Sequence, residues 1–217
     1  MKNLITLTDP RSPASEAYRT LRTNLSFYSL DEPIRTLVVT SPTANEGKSV
    51  TVANLAVTTA QGGRRTILVD CDLRRPSLHS IFGVNNDAGL TTMILDETAT
   101  SSLQPTSVEK LSLLTSGPLP PNPADLLGSR HVERVLEQLL EEADIVLLDA
   151  PPVLGFTDAA VLGARVDGVL LVLRAGKTKR EHAERAKVQL ERANVRIIGA
   201  TLTDAPEDSS IGDYYAK

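Results

Sequence analysis

Three short stretches carry residue types that could handle phosphate and a metal ion. In the first, the apolar run Leu37-Val38-Val39 gives way to a small polar loop closing on Gly47-Lys48-Ser49, and residues 50–60 read as a helix. Backbone N–H groups turning into the positive end of a helix make an anion cradle. Asn45, Glu46, Gly47, Lys48, Ser49 and Val50 would supply that cradle. In a phosphate-binding loop of this kind, the P-loop, the lysine reaches the β- and γ-phosphates of a nucleotide and the hydroxyl ligates Mg²⁺. Pro42 stands where the strict G-x-x-x-x-G-K-[ST] pattern has its first glycine.

The other two stretches end apolar runs in acids. Ile67-Leu68-Val69 is followed by Asp70-Cys71-Asp72, and Ile145 to Leu148 by Asp149. One acidic strand end is ordinarily a helix cap or a loop hydrogen bond. Two beside a P-loop point instead to Mg²⁺-nucleotide chemistry. Residues i and i+2 of a strand share a face, so Asp70 and Asp72 are expected to turn toward the nucleotide while Cys71 turns away. Asp149 has the setting of a Walker B acid that holds Mg²⁺ directly or through water. Asp70 is then available to accept the proton of an attacking hydroxyl. Arg74 and Arg75 either balance this negative charge or pair with surface acids. Cys71 reads as a small core residue, and the three histidines show no ligand spacing.

The elements that must position these groups alternate along the chain. Residues 1–12 read as a polar entry arm without periodic signal. A helix begins at Pro13 with Ser12 as its cap. Its apolar positions Ala17, Leu21, Leu25 and Tyr28 fall on one expected face, and Glu16, Arg19 and Arg22 line the opposite one. Strands are expected over residues 37–39, 65–70, 111–114, 145–148, 168–173 and 197–202. Helices are expected over 50–60, 90–95, 131–142, 157–165 and 178–193, the last showing Val188 and Leu190 to the core. Residues 117–123 read as a stiff proline-rich connector. The fold class is α/β: a mostly parallel central sheet with helices on both faces, the P-loop NTPase fold. One domain covers residues 1–203, including a helix at about 13–29, and 204–217 form a polar acidic tail bearing Tyr214 and Tyr215.

Bulk properties agree with such a domain. The 217 residues are 41% hydrophobic, enough for a sizeable core. A net charge of −4 disfavours a general nucleic-acid surface. There is no apolar run long enough to span a bilayer and no secretory leader. A single cysteine fits a reducing compartment, so the expected location is cytoplasmic.

Together these motifs resemble the bacterial tyrosine kinases (BY-kinases) of capsule and exopolysaccharide biosynthesis, over nearly the whole chain. The resemblance rests on residues 40–49 as Walker A, on Asp70-Cys71-Asp72-Leu73-Arg74 as the second Walker motif (A′), and on Val146 to Pro152 as Walker B. Glu16, Arg19 and Arg22 match the E-x-x-R-x-x-R element through which family members form rings. It implies an ATP- and Mg²⁺-dependent autokinase that phosphorylates its own tail tyrosines in trans, here Tyr214 and Tyr215. It implies Lys48 and Ser49 on phosphates and metal, Asp72 and Asp149 around the metal, and Asp70 as base. It further implies a homo-oligomeric ring, a membrane-embedded co-polymerase that activates the kinase, a phosphatase that reverses it, and a place beside the inner face of the membrane. The family usually carries more tail tyrosines, and often an asparagine near the adenine where this chain has Thr203. The competing readings are a ParA/MinD-type ATPase switch and a non-catalytic nucleotide-binding partner in export. The ParA/MinD proteins carry an early P-loop lysine that residues 41–46 lack.

Overall fold

The protein is described from a computed structural model, which covers residues 4–28, 33–96 and 102–206. Tyr214 and Tyr215 lie outside the described residues. Among the described residues seven strands form one sheet: β1 (Thr36–Thr40), β2 (Thr66–Asp70), β3 (Gln104–Pro105), β4 (Leu111–Leu114), β5 (Ile145–Asp149), β6 (Gly168–Arg174) and β7 (Ile197–Thr203). Their order is β3-β4-β2-β5-β1-β6-β7, all parallel except the short β3. The near-continuous apolar runs of β1, β2 and β5 follow from this placement. A strand covered on both faces has no solvent side to alternate with.

The period-2 geometry of the strands divides the core in two. Leu37, Val39, Leu68 and Leu147 face α3 (Lys48–Gln61), whereas Val38, Val69, Val146 and Leu148 face α7 (Arg130–Glu142) and its neighbours. Helix α3 is buried along almost its whole length, and its Ala53, Ala56 and Ala60 let it sit close to the sheet. On the other face α7 inserts Val132, Val135, Leu136 and Leu139, joined by α8 (Asp158–Gly163) and α9 (Arg180–Arg192).

The N-terminal segment departs from the sequence reading. Residues 5–8 form a short helix, α1 (Ile5–Thr8), pinned by buried Leu4 and by Thr6, whose N–H and hydroxyl donate to Asn54 Oδ1 on α3 at 3.1 and 2.8 Å. Helix α2 (Pro13–Phe27) starts as expected, the Ser12 side chain accepting from Ser15 N. Only Leu21 and Leu25 of the expected apolar face reach the core; Ala17 and Tyr28 are exposed. Buried Ser15, whose hydroxyl donates to Ile5 O at 3.1 Å and Asp9 O at 2.7 Å, and the half-buried Tyr18, whose phenol faces Thr51 and Asn54, take their places, because α2 rides on the α1 segment and on polar positions of α3. Arg22 likewise leaves the charged face: its guanidinium donates to Thr58 O at 2.8 Å, near the end of α3. Val188 is 42% exposed, and Ala186 with Leu190 bury in its stead. Positions two apart on a helix point about 200° from each other, so 188 and 190 cannot share a buried face.

Short helices α4 (Leu78–Phe82) and α6 (Pro123–Leu127) have no counterpart in the sequence reading, and α5 (Leu90–Leu95) matches it. Pro123 opens α6, so the proline-rich connector ends as a helix start.

Candidate nucleotide and phosphoryl-transfer site

Strand order brings the chemistry together. β5 lies between β1 and β2, so the loop after β1, Asp149 and the Asp70–Asp72 segment leave adjacent strands at one carboxyl edge. Asp70 is in register with Asp149, and Val39 on the other side. Ligands of open α/β sheets bind at this edge.

The loop after β1 turns on two residues with positive φ, Asn45 at 63° and Gly47 at 87°. A Cβ at position 47 would also meet Thr203 Cγ2 at 3.3 Å. Glu46 is 3% exposed and folds back into the loop, its Oε1 accepting from Thr43 N at 3.3 Å and from Thr43 Oγ1 at 2.5 Å. Its side chain therefore shapes the cradle, which suits an acid that would repel phosphate. The Thr203 hydroxyl donates to Glu46 O at 2.9 Å, and Arg174 bridges Asn45 O at 3.2 Å and Asp204 at 2.6 Å. Thr203 thus serves the loop from the β7 side. A cavity of about 1110 Å³ opens between α2, this loop and β7, and Asn45, Glu46, Gly47 and Val50 line it.

Lys48 is the hub of the acidic cluster. Its Nζ donates to Asp72 Oδ2 at 2.7 Å, Asp149 Oδ1 at 3.2 Å and Ser49 Oγ at 3.2 Å. Burial disfavours its charge, but the two carboxylates outweigh that and hold its pKa above the usual lysine range. Asp149 is fully buried; burial pushes its carboxyl up while Lys48 opposes the rise. Asp149 Oδ2 makes no hydrogen bond. Asp72 Oδ1 accepts from Arg75 N at 3.0 Å.

Asp70 differs from its neighbour. Its Oδ2 accepts from Ser77 N and Leu78 N, both at 2.9 Å, and its Oδ1 from Asp72 N at 3.3 Å. Backbone donors thus occupy the carboxylate beside the Lys48–Asp149 pair. Burial and the charge of Asp149 push it up to about 7, against those donors. Cys71 is buried as expected, and burial pushes its thiol up.

Arg74 takes the pairing role, with a partner that sequence reasoning missed. Its guanidinium forks onto Asp158, with Nε 3.1 Å from Oδ1 and Nη2 3.1 Å from Oδ2, and stacks over the Phe156 ring at 3.9 Å. Asp158 is fully buried. The two residues lie 84 positions apart, so spacing could not link them. Glu16 and Arg19 pair at 2.7 Å on α2 and sit apart from the cluster.

The donor set Ser49 Oγ, Asp72 and Asp149 is hard oxygen, and one of its buried oxygens lacks a partner, which fits Mg²⁺. No cluster of three or more His, Cys, Asp or Glu side chains among the described residues would hold a metal alone.

A family model described as ParA, NUBPL iron-transfer P-loop NTPase, matches residues 34–201. Tyrosine-protein kinase YwqD of Bacillus subtilis is 42% identical over 202 residues, covering 93% of this chain and 85% of YwqD. The chain belongs to the bacterial tyrosine-protein kinase family. Solved structures agree with that family. The chimerical protein CapA2B2 superposes with a TM-score of 0.89 at 35% identity, over 94% of this kinase and 90% of that chain. The kinase domain of Escherichia coli tyrosine kinase ETK gives 0.88 at 31% identity, over 95% and 83%. Among the described residues of the kinase, no helix is long and apolar enough to cross a membrane.

Proposed function

We propose that this chain is an ATP- and Mg²⁺-dependent protein-tyrosine autokinase that phosphorylates Tyr214 and Tyr215 in trans and regulates polymerisation and export of a capsular polysaccharide or exopolysaccharide. The observation that carries the reading is the β2-β5-β1 adjacency, with Lys48 bridging Asp72 and Asp149 beside the P-loop. Backbone N–H groups of residues 45–50 cradle the phosphates, and Lys48 exchanges its carboxylates for phosphate oxygens. Ser49, Asp72 and Asp149 would hold Mg²⁺, which would supply charge neutralisation on the phosphates. Asp70 receives the phenol proton as the tyrosine oxygen bonds to the γ-phosphorus and the bond to ADP breaks. A carboxyl raised to about 7 is a better base than one at 3.8, yet far below a phenol near 10. In a loose transition state the proton leaves late, so orientation matters more than basicity.

Glu16, Arg19 and Arg22 form the ring contact in this reading. A membrane-embedded co-polymerase activates the kinase at the inner face of the membrane, and a phosphatase resets it. The match to a ParA-group model keeps an ATPase switch as the second reading. Incubation with ATP and Mg²⁺ followed by anti-phosphotyrosine detection separates the two. Signal lost in both Lys48→Met and the Tyr214→Phe/Tyr215→Phe double variant means autokinase, whereas phosphate release without labelled protein means ATPase.

A further inference from the structure

We infer that Arg75 and Phe156 form the docking surface for the acceptor, and that the acceptor it fits is a tyrosine flanked by acidic residues. This rests on the tyrosine-kinase reading and adds to it what selects the substrate.

The surface is built from the two loops that leave the site acids. The loop after β2 carries Asp72, Arg74 and Arg75; the loop after β5 runs from Asp149 to Phe156 and α8. Arg74 joins them, clamped on buried Asp158 and lying against one face of the Phe156 ring at 3.9 Å. Its charge is neutralised there and its position fixed, so Arg74 is scaffold rather than bait. Phe156 is 39% exposed, so part of the ring stays open to solvent. An aromatic side chain held from one side and open elsewhere is a platform for a second ring, in offset or edge-to-face contact.

Arg75 supplies the charge. Its side chain is exposed and forms no ion pair among the described residues. Its backbone N–H donates to Asp72 Oδ1 at 3.0 Å, which fixes the main chain of this residue next to the metal-binding acid. Among the described residues, the other cations beside the site acids are paired: Lys48 with Asp72 and Asp149, Arg74 with Asp158. A ring platform backed by Arg74, with an unpaired arginine next to Arg74 in the chain at the edge where phosphate is transferred, matches a phenol with a carboxylate nearby. Residues 204–217 have that composition: Asp204, Glu207, Asp208 and Asp213 against Lys217 alone, with Asp213 directly before Tyr214 and Tyr215. The occupant is this segment, presented by another copy of the chain.

The test uses the full chain and three synthetic tyrosine peptides that differ only in flanking residues: Asp/Glu, Asn/Gln or Lys. The parent should show a KM for the acidic peptide about tenfold below that for the neutral one, and the Lys peptide should be poorest. Arg75→Glu should reverse the order, making the Lys peptide best. Phe156→Ala should raise KM for all three by a similar factor and leave the order intact. Equal KM values for the three peptides in the parent, or an unchanged order in Arg75→Glu, would overturn the docking surface alone. Absence of phosphotyrosine on every peptide and on the chain itself would instead overturn the kinase reading, and this inference with it.

Discussion

Asp70 meets two opposed demands: it caps backbone N–H groups at the start of α4, and it sits close enough to Asp149 to feel its charge. Asp70→Asn keeps an acceptor for those donors but cannot take a proton. It should leave nucleotide binding intact and cut transfer by about 100-fold or more, read from initial rates of autophosphorylation. The same substitution has a stability signature. A carboxyl raised from 3.8 to about 7 keeps a proton in the folded chain that the unfolded chain has already released. The folded form therefore loses stability as pH climbs from about 4 to about 7. Urea midpoints should show Asp70→Asn gaining on the parent across that window by at most a few kcal/mol, with no further gain above it. Lys48→Met gives a third expectation. Removing the cation leaves Asp72 and Asp149 buried against each other, a loss of roughly 3–5 kcal/mol. Mg²⁺ should restore part of the melting temperature in the variant and shift the parent much less.

Helix α2 carries both the proposed ring contact and an internal fastening. Arg22 ties it to the carboxyl end of α3, whereas Arg19 pairs with Glu16 on α2 itself. The Arg19→Ala/Arg22→Ala double variant should be monomeric by light scattering. Arg19→Ala alone, which leaves the α3 fastening in place, should already weaken assembly. A ring surviving both changes would exclude Arg19 and Arg22 from the contact. The capping serine and proline of α2 were legible in the sequence because capping is local chemistry. The face it buries was not. A helix resting on the α1 backbone through Ser15 and on Thr51 and Asn54 through Tyr18 buries polar groups, which an apolar periodicity passes over. The same limit hid α1, whose fastening through Thr6 and Asn54 spans 48 residues. In the loop, Gly47→Ala should reduce nucleotide affinity well over tenfold in a binding titration. The φ of 87° and the approach of Thr203 both oppose a Cβ.

At the level of the whole molecule, three acid- or phosphate-bearing strand ends were readable as motifs, and the parallel sheet as an alternation of elements. The order of the strands was not readable, and it decides that Asp149 stands between Lys48 and Asp70. The Arg74–Asp158 pair was hidden for the same reason: topology, not sequence spacing, makes them neighbours. The central position of β1 also sets a cost. Leu37→Ala, at a fully buried site facing α3, should destabilise by about 2–5 kcal/mol in urea unfolding without changing the phosphotyrosine pattern.

Strand β7 ends where residues 204–217 begin, and at that point Thr203 holds Glu46 O while Arg174 holds Asn45 O and Asp204 together. The root of the acidic segment is thereby moored to the turn proposed to bind phosphate. A pull on that segment is therefore a pull on residues 45 and 46 of the loop.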